Sequence, residues 1–93
     1  YYETGKFGIR HENLLLVKAD LPETEYGKMC YFKNLTYVPF DKEALLPELM
    51  TSRDIMLFNR YQKNVYESIS PYLCDDDKKW LESYTKPIEN FTF

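Results

Sequence analysis

The sequence has no surplus of basic charge: twelve lysines and arginines stand against fifteen aspartates and glutamates, for a net charge of −3. That balance gives no electrostatic footing for nucleic acid or for an anionic membrane surface, so neither is expected as a partner. No apolar run approaches the roughly 20 residues of a membrane helix. Cysteine is scarce as well, at two residues. Cys30 and Cys74 have neither metal-ligand spacing nor the density of a disulfide scaffold. Reduced, partly buried thiols in a cytoplasmic setting are expected, with one disulfide as the alternative reading. Histidine occurs once, at His11, and no internal repeat or low-complexity segment is present. The 93 residues suffice for one small domain with a modest core.

What is present falls into a strand-like first part and a helical second part. Gly5 and Gly8 bracket an irregular entry, and residues 9–19 then read as a strand whose continuous run Leu14-Leu15-Leu16-Val17 suggests cover on both faces. Residues 20–28 carry Pro22 and Gly27 and read as an exposed, hairpin-like loop. Residues 29–38 read as a second strand, antiparallel to the first, interrupted near Lys33 and Asn34 and ended by Pro39. Asp41 can cap a single helical turn over residues 42–46, which Pro47 discourages from continuing. Thr51 with Asp54 forms a capping signature ahead of Ile55, Phe58, Tyr61, Val65, Ile69 and Leu73, which predicts a helix near 52–70 that Pro71 ends. A second helix is predicted near 76–85 with Trp80, Leu81 and Tyr84 as its apolar stripe. The fold class expected is α+β: antiparallel strands followed by two helices. The change from strand-like to helical period near Pro39 divides the chain into residues 1–40 and 41–93.

The chemistry gathers in Gly8-Ile9-Arg10-His11-Glu12-Asn13. On a strand Arg10, Glu12 and Leu14 share one face and His11, Asn13 and Leu15 the other. A guanidinium and a carboxylate at the mouth of a buried strand are costly unless paired, hydrogen-bonded or bound to a metal. The stretch from Tyr1-Tyr2-Glu3 through Gly5-Lys6-Phe7-Gly8-Ile9-Arg10-His11-Glu12-Asn13 to Val17 resembles the last catalytic stretch of the Xaa-Pro aminopeptidases, metallopeptidases of the pita-bread fold. The resemblance continues through Leu35-Thr36-Tyr37-Val38-Pro39-Phe40-Asp41 and Trp80-Leu81 to Lys86-Pro87-Ile88.

That resemblance implies the C-terminal part of a pita-bread catalytic domain, with 1–40 carrying the last metal ligand and 41–93 a helical extension. Glu12 would bridge two divalent ions, by resemblance manganese, with zinc or cobalt as alternatives that affinity does not separate. Arg10 would orient a ligating carboxylate through fork-like hydrogen bonds, joined by Tyr2. The family's other ligands and its substrate-holding histidines would lie upstream of Tyr1, so the chain reads as a C-terminal piece that is inactive alone. The parent would release the N-terminal residue from peptides with proline in second position. Its partners would be those peptides, the remainder of the catalytic domain and a second subunit. A catalytically silent pita-bread domain and a dimerisation module over residues 51–84 are the alternatives.

Other features have plainer readings. His11 faces away from Glu12 by alternation, where the family has an aliphatic residue, and is taken as structural. Asp75-Asp76-Asp77 suit helix capping and the helix dipole, without the spacing of a calcium loop. Asn34-Leu35-Thr36 and Asn90-Phe91-Thr92 match glycosylation acceptors, and neither is expected to be used. Ile55, Phe58, Tyr61, Val65 and Ile69 form a face too long for the second helix to cover, which predicts packing against another part of the parent or another subunit.

Overall fold

The computed structural model describes residues 1–89, which divide into two compact units, residues 1–36 and the residues from Tyr37 onward. In the first unit β1 (Tyr2–Glu3) pairs antiparallel with β2 (Phe7–Gly8), Tyr2 opposite Gly8 and Glu3 opposite Phe7. The reversal between them turns at Gly5, whose φ of 72° lies in the left-handed region that glycine enters without steric cost. A second ladder joins β3 (Leu15–Lys18) to β4 (Tyr31–Asn34), also antiparallel, with Leu15 opposite Asn34 and Lys18 opposite Tyr31. Between β3 and β4 the chain folds back at Thr24–Gly27, whose backbones exchange bonds of 3.0 and 2.9 Å. This is the exposed loop expected over residues 20–28.

Both strands are shorter than the expected 9–19 and 29–38. Residues 9–14 are irregular because strand content needs a ladder partner as well as β-forming side chains, and the Asn13 side chain takes part of the Leu14 N–H at 3.0 Å. Within this chain β3 does not have the cover on both faces that its apolar run suggests. Leu15, Leu16 and Val17 are 46, 43 and 59% exposed. No residue from 1 to 36 is buried, and β3 and β4 form a sheet of two strands side by side. A two-stranded ladder of this kind is marginally stable in water by itself.

The second unit has the core. Asp41 accepts the Glu43 N–H at 3.0 Å and caps a 3-10 turn over Lys42–Ala44, and Pro47 opens a further turn over Pro47–Leu49 instead of merely stopping the chain. Helix α1 (Ser52–Ile69) begins with the expected reciprocal cap: the Asp54 N–H donates to Thr51 Oγ1 at 3.1 Å and the Thr51 N–H to Asp54 Oδ2 at 3.0 Å. Pro71 ends it in a 3-10 turn over Ser70–Tyr72. Helix α2 (Asp75–Tyr84) has Asp75, Asp76 and Asp77 in its first turn, where they favour the positive end of the dipole. The capping expected of them is not made: the cap residue is Cys74, and it makes no side-chain bond.

Ile55, Val65 and Leu81 are buried at 4, 0 and 2% exposure, each contributing about 1.5–3 kcal/mol by removal from water. Part of the α1 stripe finds cover within the unit: Ile55 and Val65 are buried, and Phe58, Tyr61 and Ile69 are half-buried. Phe40 lies 4.7 Å from Tyr61 and 6.1 Å from Phe58, ring centre to ring centre, and the Tyr61 hydroxyl donates to the Val38 carbonyl at 2.8 Å. The segment after Val38, unseen as a packing element in the sequence, does the covering. Trp80 is 59% exposed and stacks on Tyr84 at 5.0 Å, so of the predicted α2 stripe only Leu81 reaches the core. Among the described residues no helix is long and apolar enough to cross a membrane.

Candidate functional site

The site is built on the β1–β2 ladder and the irregular stretch that leaves it. The Ile9 N–H donates to the Tyr1 carbonyl at 2.8 Å, which continues the pairing one residue past Gly8. At the other end the stretch is tied to the second ladder. Asn13 Nδ2 donates to Asn34 Oδ1 at 3.3 Å, and the Leu35 N–H donates to the Leu14 carbonyl at 2.9 Å.

Arg10 Nη2 lies 3.2 Å from Glu12 Oε2, the pairing that two same-face positions imply. It forms although residues 9–14 are not a regular strand. Arg10 Cζ sits 5.8 Å from the centre of the Tyr2 ring, inside the range of a cation–π contact. The Cδ1–Cε1 edge of the Tyr2 ring in turn lies against Gly8, so close that a β-carbon on Gly8 would fall 2.6 Å from Cδ1. Tyr2, Gly8, Ile9, Arg10 and Glu12 line a cavity of about 250 Å³. Both charged side chains are more than half exposed, at 57 and 61%, and an ion pair in that setting adds only about 0–1 kcal/mol to stability. The pair therefore has little to do with holding the fold.

The residues present do not make a metal centre. Among the described residues no group of three or more histidine, cysteine, aspartate or glutamate side chains is placed to hold an ion. Glu12 is the one carboxylate on the cavity wall, and it faces a guanidinium. A single paired carboxylate cannot complete one coordination shell, still less two.

The remaining sequence candidates lie elsewhere. His11 is exposed in the irregular stretch between Arg10 and Glu12. Cys30 and Cys74 are free and exposed, not partly buried, because Cys30 lies at the uncovered approach to β4 and Cys74 ahead of α2. Asn34 is half-buried with its side chain engaged by Asn13, which disfavours its use as a glycan acceptor. The second acceptor motif, at Asn90, lies outside the described residues.

The cavity thus brings together one carboxylate, the guanidinium paired with it and a phenol. Comparison with known proteins shows the family. The family described as the C-terminal region of peptidase_M24 matches residues 28–88, and the chain belongs to that family. The α+β arrangement is consistent with that region. The chain is 34% identical over 92 residues to Xaa-Pro aminopeptidase 1 of Dictyostelium discoideum, an alignment that takes in 95% of this chain and 15% of that protein. It is 37% identical over 91 residues to a probable Xaa-Pro aminopeptidase P of Leptosphaeria maculans, at 94 and 15%. It is 30% identical over 90 residues to aminopeptidase P1 of Arabidopsis thaliana, at 95 and 14%. The chain thus spans about 15% of the length of the curated relatives it matches. Those alignments also take in Gly8–Asn13, which precedes the family match.

Proposed function

We propose that the protein bearing this chain is a dinuclear metal-dependent aminopeptidase that releases the N-terminal residue from peptides with proline in second position. In this reading Glu12 is one carboxylate ligand, with manganese, zinc or cobalt as the metal, and the other ligands come from parts of the protein outside these residues. Arg10 and Tyr2 orient Glu12 and its neighbours. The observation that carries the reading is the contact chain from Tyr2 through Arg10 to Glu12 around one cavity, in a chain aligned along nearly its whole length with proteins named Xaa-Pro aminopeptidases. A guanidinium beside an aromatic ring and paired with a carboxylate favours one orientation of that carboxylate, which is what a ligand or its supporting shell requires.

The absence of any buried residue in the first unit supports a second part of the proposal. The apolar side chains of β3 and β4 are covered by the remainder of the catalytic domain, and a homodimer is the alternative cover. Free, exposed cysteines agree with a reducing, cytoplasmic compartment. The test is hydrolysis by the whole protein of an Ala-Pro peptide and of the matching Ala-Ala peptide, before and after removal of metal by a chelator. Release of alanine from Ala-Pro alone, lost on chelation and restored by manganese, is the expected result. Equal cleavage of both peptides, or activity indifferent to the chelator, would overturn it.

A further inference from the structure

Three glycines occur in the chain, and two of them are explained by their backbones. Gly5 and Gly27 have φ of 72 and 96°, and a β-carbon on either would meet nothing within 4 Å. Gly8 is the opposite case. It has no positive φ, so its backbone would accept any residue. A β-carbon there, however, would lie 2.6 Å from Cδ1 and 2.8 Å from Cε1 of Tyr2, closer than real β-carbons approach a ring.

We infer that Gly8 is a positioning residue: its missing side chain leaves the space in which the Tyr2 ring lies, and the ring so seated sets the Arg10 guanidinium that holds Glu12. Tyr2 and Gly8 are opposite one another in the β1–β2 ladder. The bonds on either side, from Ile9 N–H to the Tyr1 carbonyl and from Lys6 N–H to the Glu3 carbonyl, fix the register that makes them so. An aromatic ring laid over a cross-strand glycine covers backbone that would otherwise be bare, and the glycine in turn decides where the ring rests. Tyr2 is 68% exposed, so no surrounding core holds its ring, and Gly8 is the floor beneath it. A methyl group at position 8 lifts the ring from this floor and away from Arg10, now 5.8 Å from its centre. The catalytic consequence rests on the function proposed above, whereas the seat itself does not.

The experiment compares the whole protein with its Gly8→Ala, Tyr2→Ala and doubly substituted forms. In protein labelled with 15N-arginine, the ring current on the Arg10 Nε–H is expected to be lost in Gly8→Ala as fully as in Tyr2→Ala. If Gly8→Ala leaves that resonance in place, the inference is overturned. For an Ala-Pro peptide, Gly8→Ala is expected to lower kcat/KM by about 10–100-fold, the scale of groups that orient a ligand. The same change made on top of Tyr2→Ala should cost less than about 2-fold, because the ring it would displace is gone. Equal losses in both backgrounds overturn the inference, since the glycine would then serve the backbone. If Gly8→Ala fails to fold while the double variant folds, the clash with the ring is shown directly; failure of both overturns it. Loss of the ring current with unchanged turnover in all four forms keeps the seat and overturns the functional reading of the site.

Discussion

Gln62 closes both of its amide groups on the backbone of Phe40: its Oε1 accepts the Phe40 N–H at 3.0 Å and its Nε2 donates to the Phe40 carbonyl at 3.0 Å. The side chain is completely buried, in the middle of α1. A polar group without solvent must find its partners inside, and here they lie 22 residues earlier in the chain. The two bonds hold the Phe40 backbone where its ring lies against Phe58 and Tyr61.

Gln62→Leu, nearly equal in volume, should therefore destabilise the second unit, although it places an apolar residue in an apolar core. It removes both bonds from Gln62 to the Phe40 backbone, at a cost of about 1–3 kcal/mol for each group that stays dry. Chemical denaturation of the two proteins measures it. An unchanged or raised midpoint would show that the Phe40 backbone is not held by this clamp.

The start of α1 should be acid-sensitive. Hydrogen bonds from the Thr51 backbone N–H and then its side chain hold the Asp54 carboxyl below its usual pKa. A depressed carboxylate stabilises the fold at pH above the unfolded value, and that contribution is lost as pH falls through the lower, folded value. The helix end should thus fray in acid. Asp54→Asn should remove this pH dependence, read from amide exchange at residues 52–55 between pH 2 and 6. Identical acid profiles for both proteins would count against the cap.

Cover for the β3–β4 ladder can be read from one substitution in two settings. Val17 is 59% exposed in this chain, so Val17→Asp should change the stability of the isolated chain by less than about 0.5 kcal/mol. In the whole protein the same carboxylate would enter a covered apolar surface, with a loss of about 2 kcal/mol or more. Equal small effects in both settings would mean that this face stays open to water.

Helix α1 was legible in the sequence because its signals are local: Thr51 and Asp54 lie three residues apart, and the apolar positions repeat within a turn. The Arg10–Glu12 pair was legible for the same reason. The strand limits were not, since a ladder is decided by which other segment arrives and not by the side chains of residues 9–19 alone. Gln62 reads as part of a solvated face until Phe40 is placed beside it. Asn59, which accepts the Ile88 N–H at 2.8 Å and donates to the Ile88 carbonyl at 2.9 Å, was hidden likewise by a separation of 29 residues. Gly8 read only as one of two glycines bracketing an irregular entry, because its use depends on a register that places Tyr2 across from it.

The assignment of Glu12 makes the sharpest prediction, since the Arg10–Glu12 pair contributes little to stability. In this chain by itself Glu12→Gln should leave the unfolding midpoint nearly unchanged, as expected for a side chain 61% exposed, so its effect is sought in the whole protein. It keeps the volume of the side chain but removes the negative charge, and with it both the attraction to Arg10 and the capacity to hold a cation. Turnover of an Ala-Pro peptide should then fall by more than the roughly 10–100-fold typical of groups that only orient a ligand. Arg10→Lys should be intermediate, because the charge stays while the planar fork is lost. Neither Glu3→Gln nor His11→Ala should matter as much, since Glu3 pairs with Lys6 at 3.0 Å and neither residue lines the cavity. Turnover is measured with manganese in excess, and bound metal is counted by elemental analysis. Near-normal turnover with two metals per chain in Glu12→Gln would falsify the role given to this carboxylate, whereas a loss of metal together with activity would place it among the ligands.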